Sequence, residues 1–149
     1  MRTLCLGLLL ALLVVGCSRG PEYAEVEGVV TFQGKPLEEV EVIFYPDPEA
    51  GTEGPRASCY TDDKGHFRLR SEQAGRGGVV VGKHKVCLQD TTSVPPPPPV
   101  DPGEKPPEYR KGPPRVPQKY WSVGTTPYSS VEVKPGNQTI NFDLKAGPR

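Results

Sequence analysis

Histidine is scarce in this chain, with two in 149 residues, and so is an excess of charge: 18 Lys and Arg stand against 18 Asp and Glu. Each shortage removes a class of chemistry. A balance near zero gives no basic face for nucleic acid and no electrostatic grip on anionic lipid. Nucleophilic catalysis needs a base within hydrogen-bond reach of the nucleophile and a third group to orient it. Here His66 falls at a turn edge, His84 falls in a strand, and there is no Gly-x-Ser-x-Gly elbow. A zinc site needs three or four His or Cys ligands at recognisable spacing, which two isolated histidines and two well-separated interior cysteines do not supply. Neither a catalytic residue nor a metal or other cofactor is therefore expected. Sustained 3.6-residue periodicity is also missing outside the first 16 residues, which argues against a helical fold.

What the N-terminus does have is a positive head, Met1-Arg2, followed by the apolar run Leu4–Gly16. At thirteen residues the run is shorter than the ~20 needed to span a bilayer, and its anatomy is that of a signal peptide. It ends in Val14-Val15-Gly16-Cys17, which resembles the lipobox of bacterial lipoproteins, where the cysteine thiol is alkylated by diacylglycerol and the chain is cut just before it. The expected layout is a signal peptide over 1–16, a short linker over 17–22 beginning with lipidated Cys17, a domain over 23–145 and a tail over 146–149. Two or three acyl chains at roughly 0.8 kcal/mol per buried CH₂ hold a protein at the membrane almost permanently. In the lipoproteins that the motif resembles, Ser18 rather than Asp after the cysteine goes with the outer membrane of a two-membrane cell. The expected location is thus the cell envelope, with the membrane as a partner through the lipid anchor.

The interior alternates with a period of two. Val26, Gly28, Val30 and Phe32 share one phase in YAEVEGVVTF, and Val40, Val42 and Phe44 repeat it. Phe67 and Leu69, then His84, Val86 and Leu88, then Val131 and Val133, then Ile140, Phe142 and Leu144 continue the series. Gln33-Gly34-Lys35-Pro36 and Pro135-Gly136-Asn137 carry turn chemistry between strands. Six or seven short strands at this spacing predict an all-β sandwich or barrel. From Pro95 to Pro117, 11 of 23 residues are proline, too many to donate ladder hydrogen bonds. Residues 91–117 are accordingly expected to form a solvent-exposed insertion between two strands, of which Pro95 to Pro117 is expected to be dispensable for folding. A proline-rich ligand for a partner domain is the sharper alternative.

Two local questions remain. In TDDKGHFRL, residues 61–69, the two aspartates and a glycine suggest either a calcium loop or a hairpin turn. Lys64 competes as a cation and no glutamate follows until Glu72, so the turn is favoured. Cys59 and Cys87 both fall in predicted strands of an oxidising compartment and are candidates for a disulfide. Cys87 alternates with inward Val86 and Leu88 and should point outward, so the bond requires Cys59 to share that outer face.

Taken in order, VEGVVTFQGKPLEEVEVIFYP, TDDKGHFRL, GKHKV and PQKYWSVGTTPYSSVEVKPGNQTINFDL resemble a family of bacterial lipoproteins built on a carboxypeptidase-regulatory-like, or transthyretin-like, β-sandwich. The resemblance runs from about Val26 to Leu144 outside the proline-rich segment, and departs from the family pattern at His84, where an aromatic is usual. It implies a seven-strand-type Greek-key sandwich in the envelope, and no assigned activity. Tyr109-Arg-Lys-Gly112 resembles faintly the terminal tetrapeptide of the hydroxyisourate hydrolases, but lies inside the proline-rich segment and differs at its third residue. The expectation is a lipid-anchored, non-catalytic envelope module with a structural or interaction role. The alternative is a carbohydrate- or protein-binding domain that uses the surface near Tyr120, Trp121 and the proline-rich loop, with an envelope protein or a polysaccharide as partner.

Overall fold

A computed structural model describes residues 20–71, 78–92 and 114–146, and the signal segment, Cys17 and most of the proline-rich stretch lie outside them. The described residues are all-β, with two sheets enclosing one apolar core in a sandwich-like arrangement.

The first sheet is organised around β1 (Tyr23–Phe32), whose Ala24, Val26 and Val30 turn inward while Glu25 and Glu27 face out. One edge of β1 carries three short antiparallel partners: β7 (Val79–Val80), β5 (His66–Arg68) and β2 (Lys35–Pro36). The other edge carries two parallel ones, β10 (Asn137–Thr139) and β11 (Phe142–Leu144). The sequence predicts one strand over the last segment, whereas the structure breaks it at Ile140-Asn141. Gly28 explains the break, because a Cβ there would run into the Ile140 carbonyl and come within 2.9 Å of the Phe67 ring. Ile140 N–H donates to the Glu27 carbonyl at 2.8 Å, and the Asn141 side chain takes over for the backbone by accepting Val29 N–H at 2.9 Å.

The second sheet is antiparallel throughout, in the order β6 (Arg70–Ser71), β4 (Ala57–Tyr60), β3 (Val40–Pro46), β8 (Gly82–Asp90) and β9 (Val131–Val133). Its inner face presents Val40, Val42, Phe44, Val86, Leu88 and Val133 to the first sheet. Each fully buried side chain of this size contributes roughly 1.5–3 kcal/mol relative to exposure. A chain of rings crosses the core, from Tyr120 through Tyr128, Phe142 and Phe44 to His84, with successive centroids 4.9–6.0 Å apart.

The boundary of the insertion needs correction. Residues 91–117 are expected to lie outside the body, yet Val116 is fully buried in the core, and a 3-10 turn, Gln118–Tyr120, begins directly after Pro117. Proline density signals the absence of ladder hydrogen bonds and says nothing about a single valine at the end of the run. The body therefore resumes by Arg115.

Candidate functional site

The stretch 61–69 opens with a turn over 61–65 that leads into β5. Asp62 Oδ1 accepts the backbone N–H of Lys64 at 2.9 Å and of His66 at 2.8 Å, and Gly65 closes the turn at φ 73° with its N–H on the Asp62 carbonyl. These hydrogen bonds, that from His66 above all, hold the Asp62 carboxyl below its usual range. Thr61 ties the turn to the second sheet: its buried hydroxyl donates to the Leu37 carbonyl at 2.6 Å and accepts Val40 N–H at 2.9 Å. Among the described residues, no three of His, Cys, Asp and Glu converge as a metal-ligating group.

The cysteine pairing does not survive the register. Cys59 stands opposite Val42 on the core face, while Cys87 stands opposite Ile43 on the outer face of the same sheet, with β3 between their strands. Two strand spacings amount to roughly 10 Å between Cα atoms, beyond the reach of a disulfide even before the opposed side-chain directions count. Both thiols are free, and burial pushes each up to about 11. Alternation correctly turns Cys87 away from Val86 and Leu88, but for Cys59, in the short segment 57–60, it offers no such guide.

Of the two aromatic binding candidates, Tyr120 is 3% exposed, stacks on Tyr128 with centroids 5.5 Å apart, and accepts Lys145 N–H on its hydroxyl at 3.1 Å. Its ring is committed to packing. Trp121 is partly buried against the core, and its indole N–H donates to the Val116 carbonyl at 2.9 Å.

Beside these rings lies a site that the sequence reading missed. The Asp90 side chain is fully buried at the end of β8, and Arg115 grips it with Nη2 on Oδ1 at 2.9 Å and Nε on Oδ2 at 3.0 Å. Arg115 N–H adds a further bond to Oδ2 at 3.0 Å, and the Thr92 hydroxyl donates to Oδ1 at 2.6 Å. Arg115 Nη2 also reaches the Glu38 carbonyl at 2.9 Å. Burial alone would raise the Asp90 carboxyl, but the donors from Arg115 and Thr92 outweigh it and hold the group far below the usual carboxylate range. Thr92 and Arg115 flank the proline-rich insertion, so the clamp closes its base. Position 90 continues the inward phase of 84, 86 and 88, a signal that a carboxylate there requires a cation. The sequence does not show which of Arg110, Lys111 or Arg115 supplies it.

At the other end of β8, His84 is fully buried on the same face. Its Nδ1 lies 3.2 Å from the Gly82 carbonyl, its ring centroid lies 5.7 Å from that of Phe44, and Nε2 has no hydrogen-bond partner. Burial lowers its pKa below 6.5, opposed by the Gly82 carbonyl and the nearby Asp47 charge. Asp47 Oδ1 is 3.4 Å from Lys85 Nζ, within ion-pair range, though without hydrogen-bond geometry.

A shallow cavity of about 370 Å³ lies against β1 and β5, lined by Glu27, His66, Arg68 and Thr139 among others. Arg68 is engaged there by Glu25 at 2.7 Å, with both side chains largely exposed. No protein-family model, no curated protein and no solved structure matches this chain.

Proposed function

We propose that this protein is a lipid-anchored module of the cell envelope, with a seven-strand-type Greek-key sandwich acting as a non-catalytic scaffold for structural or interaction purposes. The observation that carries the reading is the sequence Leu4–Gly16 followed at once by Cys17, with only five residues between the cysteine and the start of the first strand at Tyr23. A signal run, a modifiable thiol and a folded domain directly behind it are the order that a tethered envelope protein requires. The non-catalytic part of the reading is supported by where the histidines lie: His84 is sealed in the core, and His66 sits at the exposed edge of a turn.

A second reading, recognition of a polysaccharide or protein partner, has one observation in its favour. Trp121 keeps part of its surface exposed beside the point where the insertion rejoins the body.

The test is Cys17→Ser in the full chain, followed by membrane fractionation. The expected result is an unprocessed precursor, or a released form without acyl mass. A Cys17→Ser protein that remains in the membrane at mature size overturns the anchor.

A further inference from the structure

If Cys17 carries the lipid, the whole tether between acyl chains and sandwich is Ser18–Glu22. We infer that the protein meets the phospholipid bilayer with the end of the sandwich formed by residues 47–54, 80–83 and 134–136, and that the proline-rich insertion leaves from the opposite end. The inference rests on the lipid-anchor reading and adds to it a membrane-facing surface.

β1 and β8 fix the two ends, because both run from one to the other. At the start of β1, the Glu22 carbonyl accepts Val81 N–H at 2.8 Å and Tyr23 pairs with Val80. β8 begins beside them, where Lys83 N–H donates to the Thr52 hydroxyl at 2.8 Å. At the far end of β1, Val30 O accepts Leu37 N–H at 3.0 Å, and Phe32 pairs with Lys35 and with Leu144. β8 finishes there too, since Asp90 pairs with Val40 and its partner Arg115 bonds the Glu38 carbonyl. Thr92 and Pro114, the last described residues on either side of the insertion, thus both stand at the end away from Glu22.

Lengths decide the rest. Nine steps along β1 cover roughly 30 Å, whereas five extended residues span at most roughly 18 Å. The tether is shorter than the sandwich is tall, so the clamped end cannot be inverted onto the bilayer. Charge does not compete with this geometry, because Asp47, Glu49 and Glu53 balance Lys83, Lys85 and Lys134 at the tethered end. The exposed large apolar side chains, Tyr60 at 60% and Val123 at 46%, lie elsewhere: Tyr60 adjoins Thr61 and the start of β3, and Val123 follows the Trp121 carbonyl that Gln89 holds near the end of β8. Among the described residues, the tethered end is accordingly a membrane-facing surface without large exposed apolar side chains.

The experiment uses the full acylated chain in phosphatidylethanolamine and phosphatidylglycerol vesicles carrying headgroup spin-labelled lipid. A fluorophore is placed at Lys134→Cys or at Lys35→Cys, in a Cys59→Ser background. The expected result is quenching several-fold stronger at position 134 than at 35, unchanged when phosphatidylglycerol is omitted. Equal quenching, or stronger quenching at 35, overturns the orientation. A Cys17→Ser control that binds the vesicles as well as the acylated chain overturns the anchor instead, which separates the two failures. Glu53→Cys and Asp63→Cys provide a second pair, at the tethered and clamped ends respectively, should either first variant fail to fold.

Discussion

The two ends of β8 solve the same problem in opposite ways. His84 and Asp90 lie on one face of one strand, six positions apart, both removed from water. Asp90 is met by a guanidinium, a hydroxyl and backbone N–H groups, whereas the Nε2 of His84 meets nothing. The difference follows from what each group can afford electrically. A buried carboxylate ionised at neutral pH requires a partner, because an unpaired buried charge is destabilising by several kcal/mol. An imidazole escapes by staying neutral, and leaves one nitrogen unsatisfied at a smaller penalty of about 1–3 kcal/mol. A charged clamp therefore fixes the end from which the insertion leaves, while at the end where β1 begins the neutral His84 ring packs against Phe44.

Breaking the clamp should give the largest effect. Replacing residues 95–117 with a short Gly-Ser link removes both Arg115 and the buried Val116, and should cost more than about 4 kcal/mol, a large share of the stability of a domain this size. Replacing 94–113 instead keeps both residues and should change stability by only about 1 kcal/mol, since loop closure varies logarithmically with length. Urea titrations of the two deletions, read side by side, check the boundary. Equal stability of the two would place Arg115 and Val116 outside the body.

Next in size is Arg115→Met, expected to lose about 3–5 kcal/mol by leaving Asp90 buried and unpaired. Adding Asp90→Leu should recover much of that loss, because the pair can be exchanged for apolar side chains more cheaply than it can be halved. Melting temperatures of the two single variants and the double variant form the cycle that checks it.

His84→Phe should act in the other direction and more weakly, with a gain of about 1 kcal/mol from removing an unpartnered nitrogen beside Phe44. The sharper readout is pH. The pKa of His84 is lower folded than unfolded, so its contribution is complete above pH 6.5 and is lost as pH falls from there through the depressed folded value. Asp90 is also depressed, but from 3.8, so its contribution persists at mildly acidic pH and goes only as pH falls below that value. Stability measured from pH 7.5 to 4.5 should thus decline in the unsubstituted chain, and decline less in His84→Phe. Identical profiles would remove His84 from the account.

The strands were legible because alternation reports burial directly, as in Val26 to Phe32 and in Val40 to Phe44. The pairing of the last segment was not: parallel addition of β10 and β11 to β1 depends on Gly28 leaving room for the Ile140 carbonyl, a contact 112 residues away in sequence. The clamp was half legible. Alternation points Asp90 inward, but the choice of Arg115 over the neighbouring cations is made by the fold. For Tyr120, beside a tryptophan, packing into the core is the favoured reading over a binding platform, and the stacking on Tyr128 bears it out.

The anchored scaffold itself is tested most directly by the intact mass and N-terminal peptide of the protein purified from membranes. The expected mature chain begins at Cys17 and carries the mass of a diacylglyceryl group, with or without a further acyl chain. A mature chain that begins elsewhere, or a Cys17 found as an unmodified thiol, would contradict it.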